Sequence, residues 1–201
     1  MIKLHHLQIG RSIFTLWLLE ELGIDYDVEI YQRLETFRAP PELKKVHPLG
    51  KSPVIEDDGI VVAESGAIAT YLLSTYGQDS NLAPAPSDKA AFARYQSFLH
   101  FAEGTLVGPF MMTMVGGGAE QITNFAAPEI AANCAYLADE LAGKDYIMGN
   151  QFSAADVGLV CVLSMANNMG ALPDNKVLQD YIARCTARPA FASAMEKGGG
   201  A

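Results

Sequence analysis

The chain has 201 residues, half of them hydrophobic and 18% charged, with a formal net charge of −9. This composition is typical of a folded globular protein with one large domain or two small ones. The acidic balance argues against a nucleic-acid-binding surface, which needs a basic face. No hydrophobic run approaches the roughly 20 residues that span a bilayer.

The first residues predict a β–α–β unit. The pattern of Ile2–Leu7 predicts a strand, and that of Ser12–Leu22 predicts a helix that ends at Gly23, because glycine adopts the left-handed conformation that often terminates helices. Residues 25–31 predict a second strand. A β–α–β unit this short favours parallel pairing of its strands.

A less regular polar segment, residues 32–50, follows and includes a short helix after Pro41. Two short hydrophobic runs then flank Asp58-Gly59, which is the strongest short-range signal for a hairpin. A helical repeat continues to Gly77. The order βαβ–ββα predicts one sheet with helices on both faces.

The chain divides into two halves by composition. Residues 77–87 are rich in Pro, Ser, Asp and Asn, which is typical of a linker. We predict an α/β domain at 1–76 and an all-helical domain at 88–201. Three cysteines, Cys134, Cys161 and Cys185, lie in helix-like sequence without a CxxC motif, which favours buried, reduced thiols in a cytoplasmic protein.

Glycines at 116–118 interrupt the helical pattern of the second half. Pro128 follows them and is expected in the first turn of the next helix, where its missing N–H costs nothing. Two further helices are expected near Leu163 and Tyr181, and the tail at 198–201 is expected to fray.

Two short segments are candidate binding elements. Pro53 suits the start or edge of a strand, and a cis bond after Ser52 would turn that backbone outward to pair with an extended peptide; a trans proline entering a strand is the alternative. Glu64 can accept an ammonium, and the helix that begins near Ser65 can hold a carboxylate; helix capping by Ser65 is the alternative. Lys51 is a candidate for a second carboxylate or a surface lysine.

The loop at 8–12 joins the first strand to the first helix, at the sheet edge where ligands of open α/β sheets gather. Ser12 is a candidate donor to a thiolate and Arg11 a candidate positive charge, although Ser12 also suits a helix cap. Ser153 and Asp156 match a capping box, which marks a helix start and carries no chemistry.

The order and spacing of these segments resemble a cytosolic glutathione transferase over nearly the whole chain. The matching segments are SIFTLWLLEELGIDYDVE, HPLGKSPVIEDDG, AESGAIATYL, GNQFSAADV and ARPAFASAM. The resemblance implies a thioredoxin-like N-terminal domain, an all-helical C-terminal domain and a homodimer.

The resemblance also implies roles for individual residues. Pro53 corresponds to the cis-proline of the family, and Ser52 to the residue whose backbone pairs with the cysteinyl part of glutathione. Glu64 and Ser65 correspond to the pair that holds the γ-glutamyl end. Lys51 corresponds to a lysine that some classes use for the glycine carboxylate.

The first loop departs from the family pattern. Several classes place a catalytic Tyr, Ser or Cys early in this loop, whereas Ile9 occupies that position here and Arg11 stands where one bacterial class has cysteine. Ser12 is the remaining hydroxyl, so Ser12 and Arg11 are the catalytic candidates. The resemblance is closest to fungal and bacterial members with a Ser-Arg-Ser-type loop.

The implied function is conjugation of the glutathione thiolate to small hydrophobic electrophiles, as in detoxification, with glutathione as co-substrate and no metal. Phe110, Met111 and Met114 are candidate contacts of the electrophile, or core residues. Two alternatives remain: a glutathione-dependent disulfide reductase or peroxidase, and a non-catalytic glutathione-binding or regulatory module. No nucleic-acid or membrane partner is expected.

Overall fold

The structure is a computed structural model that describes residues 1–199. These residues form two compact units: Met1–Ser80 with the segment from Ala187 onward, and Asn81–Thr186. The domain limits inferred from the sequence stay a prediction, and the last two residues of the predicted tail lie outside the described part of the chain.

The first unit contains a mixed sheet of four strands in the order β2–β1–β3–β4. β1 pairs in parallel with β2 and antiparallel with β3, and β3 pairs antiparallel with β4. The predicted parallel pairing of the first two strands is therefore confirmed. The strands are β1 Ile2–Leu7, β2 Tyr26–Tyr31, β3 Val54–Asp57 and β4 Ile60–Ala63.

The described residues also form nine α-helices, of which α1, α2, α3 and α9 belong to the first unit and α4–α8 to the second. A π-helical turn, Ala102–Leu106, joins α4 to α5. The helices are α1 Ser12–Leu22, α2 Leu43–Val46, α3 Ser65–Thr75, α4 Lys89–Phe101, α5 Val107–Val115, α6 Glu120–Leu141, α7 Ala154–Asn168, α8 Lys176–Thr186 and α9 Pro189–Lys197.

Helix α1 has the predicted bounds and the predicted stop. Gly23 has a φ of 63°, and its N–H donates to the carbonyls of Leu19 and Glu20, a bonding pattern that ends a helix on a left-handed residue. The helix is buried on most sides and packs against β1, α3 and α9. This packing explains why its sequence is hydrophobic nearly all round.

The Asp58-Gly59 hairpin between β3 and β4 is confirmed. Both residues have positive φ, 46° and 85°, as a two-residue turn between right-twisted strands requires. The register that this turn sets, Asp57 opposite Ile60 and Val54 opposite Ala63, brings the start of β3 beside the end of β4.

One expectation about the helices is wrong, and one helix was not predicted. Pro128 lies inside α6 rather than in its first turn, because the helix begins as soon as the glycines at 116–118 have ended α5 and then tolerates one missing backbone bond. A final helix, α9, was not foreseen, although Pro189 at its start is a helix-initiation signal. Beyond it, the Gly198 N–H still bonds to Ala194 O at 2.9 Å.

No helix within the described part of the chain has both the length and the hydrophobicity needed to cross a membrane.

Candidate active site

The register of the sheet brings three of the predicted segments to one of its ends. His5 of β1 lies opposite Val54 of β3, and Val54 lies opposite Ala63 of β4. The loop after β1, the Ser52–Pro53 pair before β3 and the Glu64–Ser65 pair after β4 therefore share this end. We call these segments together the sheet-end site.

Two serine hydroxyls converge on the last residue of β1. The N–H of Leu7 donates to both Ser12 Oγ and Ser52 Oγ, each at 3.1 Å. Ser52 Oγ donates to the His5 carbonyl at 2.6 Å, and Ser12 Oγ donates to the Leu7 carbonyl at 3.3 Å. These bonds attach the first loop and the segment before β3 to the same strand.

Ser12 does not cap α1. Arg11 occupies the N-cap position, and Ser12 is fully buried with its hydroxyl bonded to Leu7. Helix capping by Ser12, the alternative that the sequence left open, is therefore wrong. To reach a ligand, this hydroxyl would first have to leave its backbone partner.

The remaining predicted binding residues differ in exposure. The Ser52–Pro53 peptide bond is cis, and Pro53 is buried whereas Lys51 is exposed. Ser65 is buried and is the first residue of α3, so its predicted capping role is wrong. Glu64 takes the N-cap position with a φ of 74° and is exposed, which leaves its carboxylate accessible beside the positive end of the helix.

Arg33 is a site residue that the sequence did not single out. Its guanidinium donates to the carbonyls of Gln8, Ile9 and Phe37, at distances between 2.7 and 3.2 Å. It also lies 4.5 Å from the centre of the Phe37 ring. An arginine just after β2 was the available signal, because parallel pairing puts the end of β2 beside the loop after β1.

Gly10 is required where the first loop passes close to β1. A Cβ at this position would lie 2.6 Å from the Leu7 carbonyl oxygen and 3.4 Å from Arg33 Nη2. We expect the Gly10→Ala variant to lose about 1–3 kcal/mol of stability, because backbone atoms must move to make room. Thermal unfolding followed by circular dichroism measures this loss.

Gly104→Ala is the matched control for Gly10→Ala. Gly104 lies in the π-helical turn, and a Cβ there meets nothing within 4 Å among the described residues other than its two chain neighbours and the nearby backbone of its own helix. Alanine in a helix interior is better than glycine by about 0.5–1 kcal/mol, so this variant is expected to be neutral or slightly stabilised. Equal unfolding temperatures for Gly10→Ala and the unaltered protein would contradict the predicted clash.

The residues suggested for the electrophile belong to the second unit and differ among themselves. Phe110 is fully buried, which fits its alternative interpretation as a core residue. Met111 is half-buried, and Met114 is 39% exposed. Their contact with a substrate stays a prediction.

The three cysteines differ in burial. Cys134 and Cys185 are buried, and Cys161 is only partly buried, contrary to expectation. Burial raises the pKa of Cys134 to about 11, so this thiol is protonated at neutral pH. Within the part of the chain that the structure describes, no group of three or more His, Cys, Asp or Glu side chains is placed to hold a metal ion.

Comparison with known families gives two matches in this chain. Residues 1–74 match the family described as "Glutathione S-transferase, N-terminal domain", and residues 118–184 match "Glutathione S-transferase, C-terminal domain". Among curated proteins, glutathione S-transferase 3 of Schizosaccharomyces pombe is 36% identical over 174 residues, which cover 78% of this chain and 70% of the relative.

Solved structures agree with these matches. A glutathione S-transferase from Actinobacillus pleuropneumoniae superposes with a TM-score of 0.88 at 33% identity, covering 100% of this chain and 94% of its own. A sphingomonad glutathione S-transferase, solved with glutathione bound, gives 0.82 at 27% identity, with coverage of 99% and 100%. The predicted thioredoxin-like N-terminal domain and helical C-terminal domain are confirmed, and the chain belongs to the glutathione S-transferase family.

Proposed function

We propose that the chain binds glutathione at the sheet-end site and conjugates its thiolate to small hydrophobic electrophiles. The observation that carries this proposal is the register of β1, β3 and β4, which gathers the first loop, Ser52–Pro53 and Glu64–Ser65 at one end of the sheet. The sphingomonad relative, solved with glutathione bound, supports the identity of the ligand.

The charges at this end suit the two ends of glutathione. Glu64 is exposed and offers a carboxylate to the γ-glutamyl ammonium, and the N-terminus of α3 offers N–H groups to the neighbouring carboxylate. Lys51 is exposed and offers an ammonium to the glycine carboxylate. In an extended peptide the cysteinyl residue lies between these ends, and the backbone of Ser52 is the proposed partner for it.

The first loop is the proposed source of the groups that activate the thiol. A free thiol has a pKa of about 8.5, so only a few per cent is thiolate at neutral pH. Positive charge and N–H donors lower such a pKa. Arg11 is the proposed source of positive charge, and the backbone N–H groups that begin α1 are the proposed donors. Ser12 ranks after them, because its hydroxyl is already bonded to the backbone of Leu7.

A titration of bound glutathione tests this proposal through the ultraviolet absorbance of the thiolate. With the unaltered protein we expect the thiol to titrate well below its free value. The Arg11→Gln variant is expected to lose about tenfold in thiolate fraction at a given pH, as a difference of about 1.4 kcal/mol between protonation states implies. Glutathione that does not bind, or binds with an unchanged thiol pKa, would overturn the proposal.

Substrate choice separates the proposed transferase from the alternatives inferred from the sequence. Turnover of an aromatic halide supports conjugation, and turnover of a small glutathione-mixed disulfide or a peroxide supports the reductase or peroxidase. Glutathione binding without either activity supports the non-catalytic module. A homodimer and a cytoplasmic location remain parts of the proposal that rest on the family alone.

A further inference from the structure

We infer that Arg33 is a positioning residue for thiol activation. Its guanidinium holds the backbone of the first loop in the conformation that directs the start of α1, and Arg11 with it, at the sulfur of bound glutathione. This inference rests on the proposed function, because it names the residue that keeps the activating loop in place.

The first argument is the number of bonds that one side chain makes. Nε donates to Gln8 O at 3.0 Å and to Ile9 O at 3.2 Å, and Nη2 donates to Ile9 O at 2.8 Å. Nη1 donates to Phe37 O at 2.7 Å. A planar guanidinium offers donors in fixed directions, whereas a lysine ammonium is a single flexible point, so the three carbonyls are held in one arrangement.

The second argument is the backbone conformation that these bonds hold. Ile9 has a φ of 52° and Phe37 has a φ of 61°, and a β-branched residue is rarely found in this region. The side chains of Ile9 and Phe37 are 69% and 51% exposed, so packing contributes little to keeping them there. Strained residues persist where their surroundings fix them, and they concentrate at functional sites.

The third argument is the pairing of like charges. Burial, and next the positive charge of Arg11, lower the pKa of the Arg33 guanidinium. Arg33 Nη2 would also lie 3.4 Å from a Cβ on Gly10, the residue before Arg11, so both arginines lie at the first loop. Because like charges repel, the bonds from Arg33 to the loop carbonyls are needed to keep its guanidinium in this position.

A purely structural role for Arg33 is the competing explanation, and the two differ in what a variant changes. If Arg33 only stabilises the fold, its loss lowers the unfolding temperature and leaves the bound thiol unaffected. If it positions the loop, its loss raises the thiol pKa and lowers kcat, while the affinity for S-methylglutathione, which has no thiol to activate, changes little.

The test compares Arg33→Lys and Arg33→Met with Arg38→Lys, a control at an exposed arginine of the same segment. The measurements are the bound thiol pKa, the pH profile of kcat with an aromatic halide, S-methylglutathione affinity, and hydrogen exchange of the loop amides without ligand. We expect both Arg33 variants to exchange faster and to lose about tenfold in kcat at neutral pH, with less than about threefold change in S-methylglutathione affinity.

Lysine separates positioning from charge. Arg33→Lys keeps the charge and loses the planar donors, so it is expected to behave like Arg33→Met. A lysine variant with the activity and exchange of the unaltered protein would overturn the inference, as would unchanged loop exchange in Arg33→Met. If the unaltered protein binds glutathione without lowering the pKa of its thiol, the proposed function is overturned instead. The role of Arg33 in activation then fails with it, whatever the variants show.

Discussion

The Asp156→Ala variant is expected to lose about 3–5 kcal/mol of stability, because it leaves several buried donors without their acceptor. Asp156 is fully buried in the second unit. Its carboxylate accepts from the N–H groups of Ile147 and Ser153, each at 2.8 Å, from Ser153 Oγ at 2.8 Å and from the Tyr181 hydroxyl at 2.7 Å. It therefore joins the start of α7 to the preceding turn and to α8.

Thermal unfolding measures this loss. For a chain of this size, 1 kcal/mol lowers the midpoint by about 2–4 °C, so a decrease of about 10 °C is expected. Asp156→Asn keeps the size of the side chain and one acceptor, so its unfolding midpoint should lie between those of Asp156→Ala and the unaltered protein. Asp180→Ala is the control, because Asp180 is 51% exposed and pairs with Lys176 at the surface, where such pairs contribute about 0–1 kcal/mol. A midpoint for Asp156→Ala close to that of the Asp180 variant would contradict the central role of this carboxylate.

The capping box at α7 shows which contacts can be predicted from local sequence and which cannot. Ser153 and Asp156 are three residues apart, and their reciprocal bonds follow from that spacing, so the motif was predicted and is confirmed. The bond from Tyr181 joins residues 25 apart in sequence and depends on how two helices pack. The sequence therefore predicted where the helix starts, but not that its cap is also a tertiary contact.

The N-terminal elements were predictable for the same reason. The bounds of α1 follow from a hydrophobic run that ends at Gly23, and the hairpin follows from Asp58-Gly59, so each signal lies within the element that it defines. The short helix predicted after Pro41 is present as α2. The final α9 was not predicted, because short helices depend on tertiary packing more than on propensity.

The site was predictable only in part. The sequence pattern made Ser52, Pro53, Glu64 and Ser65 candidates, and the family resemblance implied their roles. The register of the sheet brings them to one of its ends. The direction of the Ser12 hydroxyl toward Leu7 is set by the path of the loop, which no residue spacing encodes. Arg33 contacts carbonyl groups 24 and 25 residues earlier in the chain. Because every residue has a backbone carbonyl, the residue types at those positions do not indicate the contact.

The Glu64→Gln variant is expected to bind glutathione about 10- to 100-fold more weakly, since a hydrogen bond to a charged partner contributes about 1.5–3 kcal/mol. Glu64 holds the N-cap position of α3 with a φ of 74° and is exposed. Its carboxylate makes no capping bond to α3, and residues with strained backbone concentrate at functional sites, which favours a contact with the ligand. Calorimetry with glutathione measures the change in affinity.

A ligand that lacks the ammonium group makes this prediction specific. Glutaryl-cysteinylglycine has the length of glutathione and both of its cysteinylglycine contacts, but it has no γ-glutamyl ammonium for Glu64 to accept. The unaltered protein should discriminate against it about 10- to 100-fold, whereas Glu64→Gln should bind both ligands with similar, weak affinity, because the interacting pair is missing in either case. Glu35→Gln, at another exposed acidic residue of the same unit, should discriminate as the unaltered protein does. If Glu64→Gln still discriminates fully between the two ligands, the ammonium group is held elsewhere and the proposed orientation of glutathione at the sheet-end site is wrong.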